Sequence, residues 1–392
     1  MDAKKKNLLI GGVIYIIAAV VSFFVFTNVL GTNGGGAGVT TPVALPSKGS
    51  DERVAFNAEL PKTQVCPING AKYSKQQEQW WQQHRPLGVM IENHEEARPQ
   101  SGLSYADVVY EAVAEGGITR FLAIFYCQDA GIVGPVRSAR TYFLDMVSEY
   151  GDYPLYAHVG GANTPGPADA LGQIEQYGWQ TYNDLNQFSI GFPTYWRDYE
   201  RLGHTVATEH TMYSTTSKLW DVGKSRKLTN VDKDGNAWDT DFSQFEFKDD
   251  AQASARPTAQ SISFDFWEGY DAYGVQWNYD KETNSYLRSN GGVKHIDKDT
   301  GKQLAAKNVV ILFMRESHAN DGYDNNQHML YGTTGTGQAL IFQDGKETKG
   351  SWSKKSRTSR IMIKDATGQQ VKFTRGLIWF EIVGTGTPVV VK

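Results

Sequence analysis

Two arginines three residues apart, Arg137 and Arg140, follow a Gly-Pro pair in the stretch VGPVRSARTYF, and the pattern predicts a helix starting near Ser138. The first turn of a helix holds unpaired N–H groups and the positive end of the macrodipole. A cation there costs roughly 0.3–1 kcal/mol unless an anion lies nearby. Arg120 enters from a neighbouring expected strand, so three guanidinium groups can converge. Their planar forks match carboxylate and phosphate oxygens in a bidentate way, which points to an anionic ligand. The other source of negative charge is internal. Glu92, Glu111 and Glu115 lie on adjacent expected strands, and a salt network with them would satisfy the same arginines.

The histidines nearby are His94 in IENHEEARP and His158 in YAHVGGANTPGP. A histidine beside a carboxylate such as Glu92 suits general-base work. Neither has a nucleophile motif around it, however, so a hydrogen-bonded structural role is the plainer expectation. Gly160, Gly161 and Asn163 precede an expected helix, a setting that lets an anion or a sugar approach backbone N–H groups; an ordinary loop has the same composition. NVDKDGNAWDTD, residues 230–241, approximates a calcium-loop spacing. It leads with Asn, ends in Asp where a bidentate Glu belongs, and has no clear flanking helices, so no metal site is expected. No motif calls for a cofactor. TYWRDYERLGH, residues 194–204, is dense in the Tyr, Trp and Arg side chains that stack on sugars or anchor partners, and buried aromatics look the same.

These residues must be positioned by a mixed framework. LGVMI (87–91), DVVYEAV (107–113), TRFLAIFY (119–126) and LYAHV (155–159) read as strands, with Glu115-Gly116-Gly117 turning a hairpin between the second and third. Helices are expected at 74–84, 138–150, 168–177 and near 216–223. Beyond a polar, acidic stretch at 227–257, alternation at Ile262, Phe264 and Phe266 and at Val275, Trp277 and Tyr279 signals strands. NVVILFM (308–314) and LIWFEIV (377–383) read as further strands. The fold class is α+β: a mixed α/β domain over 66–226, a connection over 227–257, and a mostly β-hairpin domain over 258–392.

Before these domains, Lys4, Lys5 and Lys6 precede an apolar run from Leu8 to Leu30, long enough to cross a bilayer as an uncleaved anchor over residues 1–30. The lysines set the amino end inside the cytoplasm and everything after Leu30 outside it. Residues 31–65, opening with GTNGGGAGVTTPVALPSK, read as a flexible stalk. Export and a count of two cysteines, Cys66 and Cys127, favour one disulfide; no Cys-x-x-Cys or His pairing supports zinc. The net charge of −4 argues against a nucleic-acid partner.

RPLGVMIENHEEARPQSGLSYADVVYEAVAEGGITRFLAIFY, followed by VGPVRSAR and EHTMY, resembles the YerB-like family of bacterial envelope proteins. The resemblance continues through QALIFQDGKETKGSWSK and RGLIWFEIV and covers nearly everything from Arg85 onward. It implies a two-part architecture and surface anchoring, and carries no reaction with it. Typical members look like lipoproteins, whereas neither cysteine here sits just after the apolar run, where a lipid anchor would need one. The expectation is therefore a membrane-anchored extracytoplasmic protein with a binding or assembly role, its partner an anionic envelope ligand, a glycan or an envelope protein. Candidate ligand-binding residues are Arg120, Arg137, Arg140, Glu92, His94, His158 and Asn163. The alternative is an envelope transferase or hydrolase acting on phosphate-bearing wall polymers.

Overall fold

The computed structural model describes residues 53–392 and the short strand Ser47–Lys48. The expected anchor over 1–30 lies outside the described residues. Among those described, no helix is long and apolar enough to cross a membrane. The expected stalk extends too far: Lys62–Val65 already pairs with Lys72–Ser74, and the Val54 N–H donates to Asp129 Oδ2 at 2.6 Å.

Ten strands form the central sheet. In chain order they are β1 (Leu87–Glu92), β2 (Val108–Glu115), β3 (Ile118–Phe125), β4 (Leu155–His158), β5 (Asp184–Asn186), β6 (Asn308–Met314), β7 (Gly335–Gln343), β8 (Lys346–Lys354), β9 (Met362–Asp365) and β10 (Ile378–Gly384). Their spatial order is β5-β4-β1-β3-β2-β10-β6-β7-β8-β9. The expected β2–β3 hairpin is present, turned by Gly116 and Gly117 at φ 52° and 77°. Two successive residues in the left-handed region suit glycine and match the right-handed twist of a hairpin. β1 and β6 are almost wholly buried along their length, as their unbroken apolar runs require of strands covered on both faces.

The two expected domains share this sheet. β2 runs parallel to β10, with Val108 opposite Ile378 and Glu111 opposite Glu381, so a strand of the earlier half lies beside a strand of the later half. Residues 46–392 form one compact unit. The stretch 227–257 is likewise more than a connection: Trp238 and Phe245 are buried, and Phe247–Lys248 pairs with Phe373–Thr374. A second, antiparallel sheet does come from the later half, built on Ser261–Phe264, Val275–Asp280 and Ser285–Asn290. Its inward Trp277 donates to Glu381 at 2.9 Å, and its Arg288 reaches Glu111 at 2.5 Å, among the rings of Phe121, Trp277 and Trp379. Burial of this trio pushes the Glu381 carboxyl well up, with the neighbouring Glu111 charge adding to the shift. One of the three expected internal counter-anions, Glu111, thus serves the later half and not the arginine cluster.

Five α-helices pack around the first half: α1 (Lys75–Trp81), α2 (Thr141–Val147), α3 (Ala170–Gln176), α4 (Gln187–Ile190) and α5 (Thr216–Ser225). α1 begins with a capping box between Ser74 and Gln77. α2 starts later than the sequence suggests, at Thr141, because residues 136–139 are held extended. Val136 and Arg137 donate backbone N–H groups to Met212 and Met90, and Ala139 donates to Gly160. Cys66 and Cys127 form the expected disulfide, fastening the segment ahead of α1 to the end of β3 across 61 residues.

Candidate functional site

The extended segment 136–140 lays Arg137 and Arg140 across the carboxyl ends of β1 and β4, and with Arg120 of β3 the three arginines do not share one fate. Arg140 is 6% exposed; its Nη2 pairs with Glu115 and its Nη1 donates to the Ala139 carbonyl at 2.6 Å. Arg120, on β3, is 3% exposed, donates to the Ser138 carbonyl at 3.0 Å and lies 3.4 Å from the other Glu115 oxygen. Burial pulls both guanidinium pKa values down from their ordinary value, partly offset for Arg120 by Glu92. One carboxylate thus bridges two buried arginines. That answers what permits a cation at the start of α2: the anion is the protein's own Glu115.

Arg137 differs. Its side chain is 25% exposed and its Nε lies 3.0 Å from Glu92 Oε2, without the alignment of a hydrogen bond. It opens onto a cleft of about 590 Å³ lined also by Gly160, Asn163, Asn186, Phe188, Arg197 and Glu209. Phe188 is 76% exposed, so its ring is an unspent apolar surface at this cleft. Gly160 has φ 57°, and a Cβ there would come within 3.0 Å of that ring. Arg197 directs one Nη to the Thr208 carbonyl and the Thr211 hydroxyl. Two arginines, two carboxamide side chains and one exposed aromatic ring therefore meet in one depression.

Behind Arg137 lies Glu92, 2% exposed. His210 Nδ1 lies 2.9 Å from its Oε2, the oxygen that Arg137 also approaches. Burial alone would raise the Glu92 carboxyl, but the hydrogen bond from His210 and the charges of Arg137 and Arg120 outweigh it and hold it below the usual carboxylate range. The His210 ring stacks on His94 at 4.7 Å between centroids and 16° between planes. Its Nε2 faces Glu96 at 3.8 Å. His94, Glu96 and His210 each offer one donor atom within 4.8 Å of the others.

The remaining candidates separate. His158 is fully buried, with Nδ1 2.6 Å from the Gly160 carbonyl and Nε2 2.5 Å from Asp184 Oδ1, so its ring ties β4 to β5 and has no face toward the cleft. Asn163 is exposed at the rim. In the aromatic segment, Tyr195 is buried, Trp196 stacks beneath Lys218 at 4.4 Å, and Arg197 alone joins the cleft. In the 230–241 loop, Asp232 Oδ1 is occupied by the N–H groups of Asp234 and Asn236, as in an ordinary turn.

Sequence reasoning reached Glu92, His94, Arg137 and Asn163, reached Arg197 only as part of the segment 194–204, and missed His210, Glu96, Asn186 and Phe188. His210 stands in EHTMY, a stretch that carried the family resemblance. No local spacing links it to Glu92, 118 residues earlier; the segment around Pro135 and Val136 joins the two, taking the Glu92 N–H on the Pro135 carbonyl and donating the Val136 N–H to Met212.

Comparison with known proteins agrees with this architecture. Residues 72–229 match the family described as "Protein of unknown function (DUF3048) N-terminal domain", and residues 262–380 match its C-terminal domain. The protein "Putative lipoprotein YerB" of Bacillus subtilis (strain 168) is 34% identical over 322 residues, covering 81% of this chain and 86% of that one. The crystal structure of YerB from Bacillus subtilis superposes with a TM-score of 0.68 at 26% identity, over 84% of this chain and all of that one. With both halves matched in order and a relative at this identity over most of its length, the chain belongs to the YerB-like, DUF3048 family.

Proposed function

We propose that this protein is a membrane-anchored extracytoplasmic component of the cell envelope that binds an anionic glycan or wall precursor in the cleft at Arg137. The observation that carries the reading is that Arg137, unlike Arg120 and Arg140, presents its guanidinium to a cleft that also holds Arg197, Asn163, Asn186 and the exposed Phe188 ring. Guanidinium forks suit carboxylate or phosphate, carboxamides suit sugar hydroxyls, and an aromatic face suits the apolar side of a pyranose. The location is supported by the lysine-flanked apolar run, by a disulfide of the kind that persists outside the cytoplasm, and by the lipoprotein name of the Bacillus relative.

The test is binding of the full-length chain to two probes, a peptidoglycan fragment bearing free carboxylates and a glycerol-phosphate polymer, at low and moderate salt. Binding of either probe, weakened tenfold or more by Arg137→Ala and weakened also by Phe188→Ala, is the expected result. Binding that neither substitution changes, or no binding of either probe, overturns the cleft reading.

A further inference from the structure

His94, Glu96 and His210 form a cluster unlike the salt networks around it. Two imidazoles and one carboxylate are the donor set of many open zinc sites, in which a water fills the fourth position. Here the three donor atoms lie within 4.8 Å of one another. Bonds of 2.0–2.2 Å would place ligand atoms about 3.4 Å apart in a tetrahedron. The 3.8 Å gap between His210 Nε2 and Glu96 Oε2 is about 0.4 Å from that spacing, and the half-buried His94 ring has to turn out of its stack on His210 to aim a nitrogen at the same point. Glu96 is free to move toward it, since half of its side chain is exposed and its carboxylate accepts the Ala207 N–H only at a long 3.4 Å.

A second observation points the same way. His210 is 4% exposed and Glu92 Oε2 stands 2.9 Å from its Nδ1. With the Nδ1 proton donated to that carboxylate, the Nε2 lone pair points toward Glu96. A buried carboxylate behind the far nitrogen is the support that metal-bound histidines generally have: it fixes the tautomer and raises the basicity of the ligating nitrogen. The local charge also favours a cation, because carboxylates face both nitrogens of His210, Glu92 at Nδ1 and Glu96 at Nε2, while Arg137 is paired back to Glu92. His94 starts the short turn Glu95–Ala97, where its Nδ1 accepts the Glu96 N–H at 3.2 Å, so ligands 94 and 96 come from one rigid corner and ligand 210 from another.

We infer that His94, Glu96 and His210 bind one divalent transition-metal ion of the zinc class, with Glu92 as the positioning residue behind His210. The alternative is a plain ion pair, with a protonated His210 held between Glu92 and Glu96. This inference has three ligand residues of its own and a different ligand from the anion reading, and shares with it only Glu92, which supports both Arg137 and His210.

The untagged full-length chain, stripped with chelator, is titrated with Zn²⁺ and bound metal is counted by mass spectrometry; Co²⁺ then reports geometry by its visible absorption. One equivalent of Zn²⁺ is expected, with an intense four- or five-coordinate Co²⁺ band. Affinity should fall at least a hundredfold in His94→Ala and in Glu96→Gln, and tenfold to a hundredfold in Glu92→Gln. His210→Ala removes a buried partner of Glu92, so His94→Ala and Glu96→Gln, both at accessible positions, carry the decision once their melting temperatures match the parent. Stoichiometric Zn²⁺ that these two variants bind equally well, or no stoichiometric binding by the parent, overturns the inference.

Discussion

Replacing Arg140 with alanine separates a fold role from a ligand role. Arg140 is 94% buried by its 6% exposure and faces Glu115, which then keeps only Arg120 at 3.4 Å. Removing one member of a buried ion pair costs about 3–5 kcal/mol. Glu115 is 22% exposed and retains Arg120, so water and the second arginine soften the loss, and about 3 kcal/mol is the expected cost. Unfolding entropy near 2.1 cal/mol/K per residue, over the residues from Arg53 to Lys392, gives roughly 0.7 kcal/mol/K. The melting temperature of Arg140→Ala should then fall by about 4 °C, with binding of the glycerol-phosphate polymer retained below the transition. Arg137→Ala should behave in the opposite way. Its pair with Glu92 is partly solvated and Glu92 keeps His210, so a cost near ~1 kcal/mol and a shift of only about 1–2 °C are expected, together with loss of binding. The assay is differential scanning calorimetry and a binding titration on the same preparations. Unchanged melting together with lost binding in Arg140→Ala would refute the division of the arginines into inner and outer members.

Three further expectations concern the rest of the chain. Closing a 61-residue separation by the Cys66–Cys127 bond contributes about 4 kcal/mol in the chain-entropy model, so the double Cys→Ala variant should melt roughly 6 °C lower, and an unchanged melting temperature would show that the bond carries no stability. Burial pushes the His84 imidazole down to about 3, with the Tyr126 carbonyl bond pulling weakly the other way; a depressed histidine gives stability that is whole above pH 6.5 and is lost as pH falls toward 3, because the unfolded chain takes up the proton first. The stability difference between parent and His84→Gln should therefore shrink by up to about 1.4 kcal/mol per pH unit below pH 6.5 in urea titrations, and a difference that stays constant between pH 7 and 5 would count against the burial. Protease added to intact cells should digest the region after Leu30, and digestion only after lysis would reverse the proposed orientation.

The parts of this fold legible in the sequence are those whose information is local. The glycine pair 116–117 announces the β2–β3 hairpin, and the unbroken apolar runs 87–91 and 308–314 announce strands buried on both faces. What escaped is what depends on distant pairing. Nothing near Glu111 shows that its cation is Arg288, 177 residues away, and nothing in the composition of 227–257 shows that Trp238 and Phe245 are core residues. The same limit led to the division at 227–257, since parallel pairing of β2 with β10 joins the earlier and later halves and leaves no periodic signal of its partner.

The site follows the same rule, with one consequence for its chemistry. Three acids next to three arginines in sequence suggested one pool of charge, yet the strand geometry divides them. A register irregularity in β2 between Val113 and Glu115 breaks the strand's alternation, so Glu111 faces Arg288 of the later half while Glu115, next to the hairpin turn, meets Arg120 and Arg140. Glu92, at the end of β1, is left facing Arg137 and His210 through a single oxygen. That carboxylate is consequently the one acid of the group placed between the cleft and the histidine pair. It is held ionised by the hydrogen bond from His210 and by the charges of Arg137 and Arg120, and its charge in turn fixes the position of Arg137 in the cleft and the proton on His210 Nδ1. Glu92→Gln keeps the shape and removes that charge, so it should loosen Arg137 and His210 together, whereas substitutions at Arg137 or His94 should each disturb one side alone.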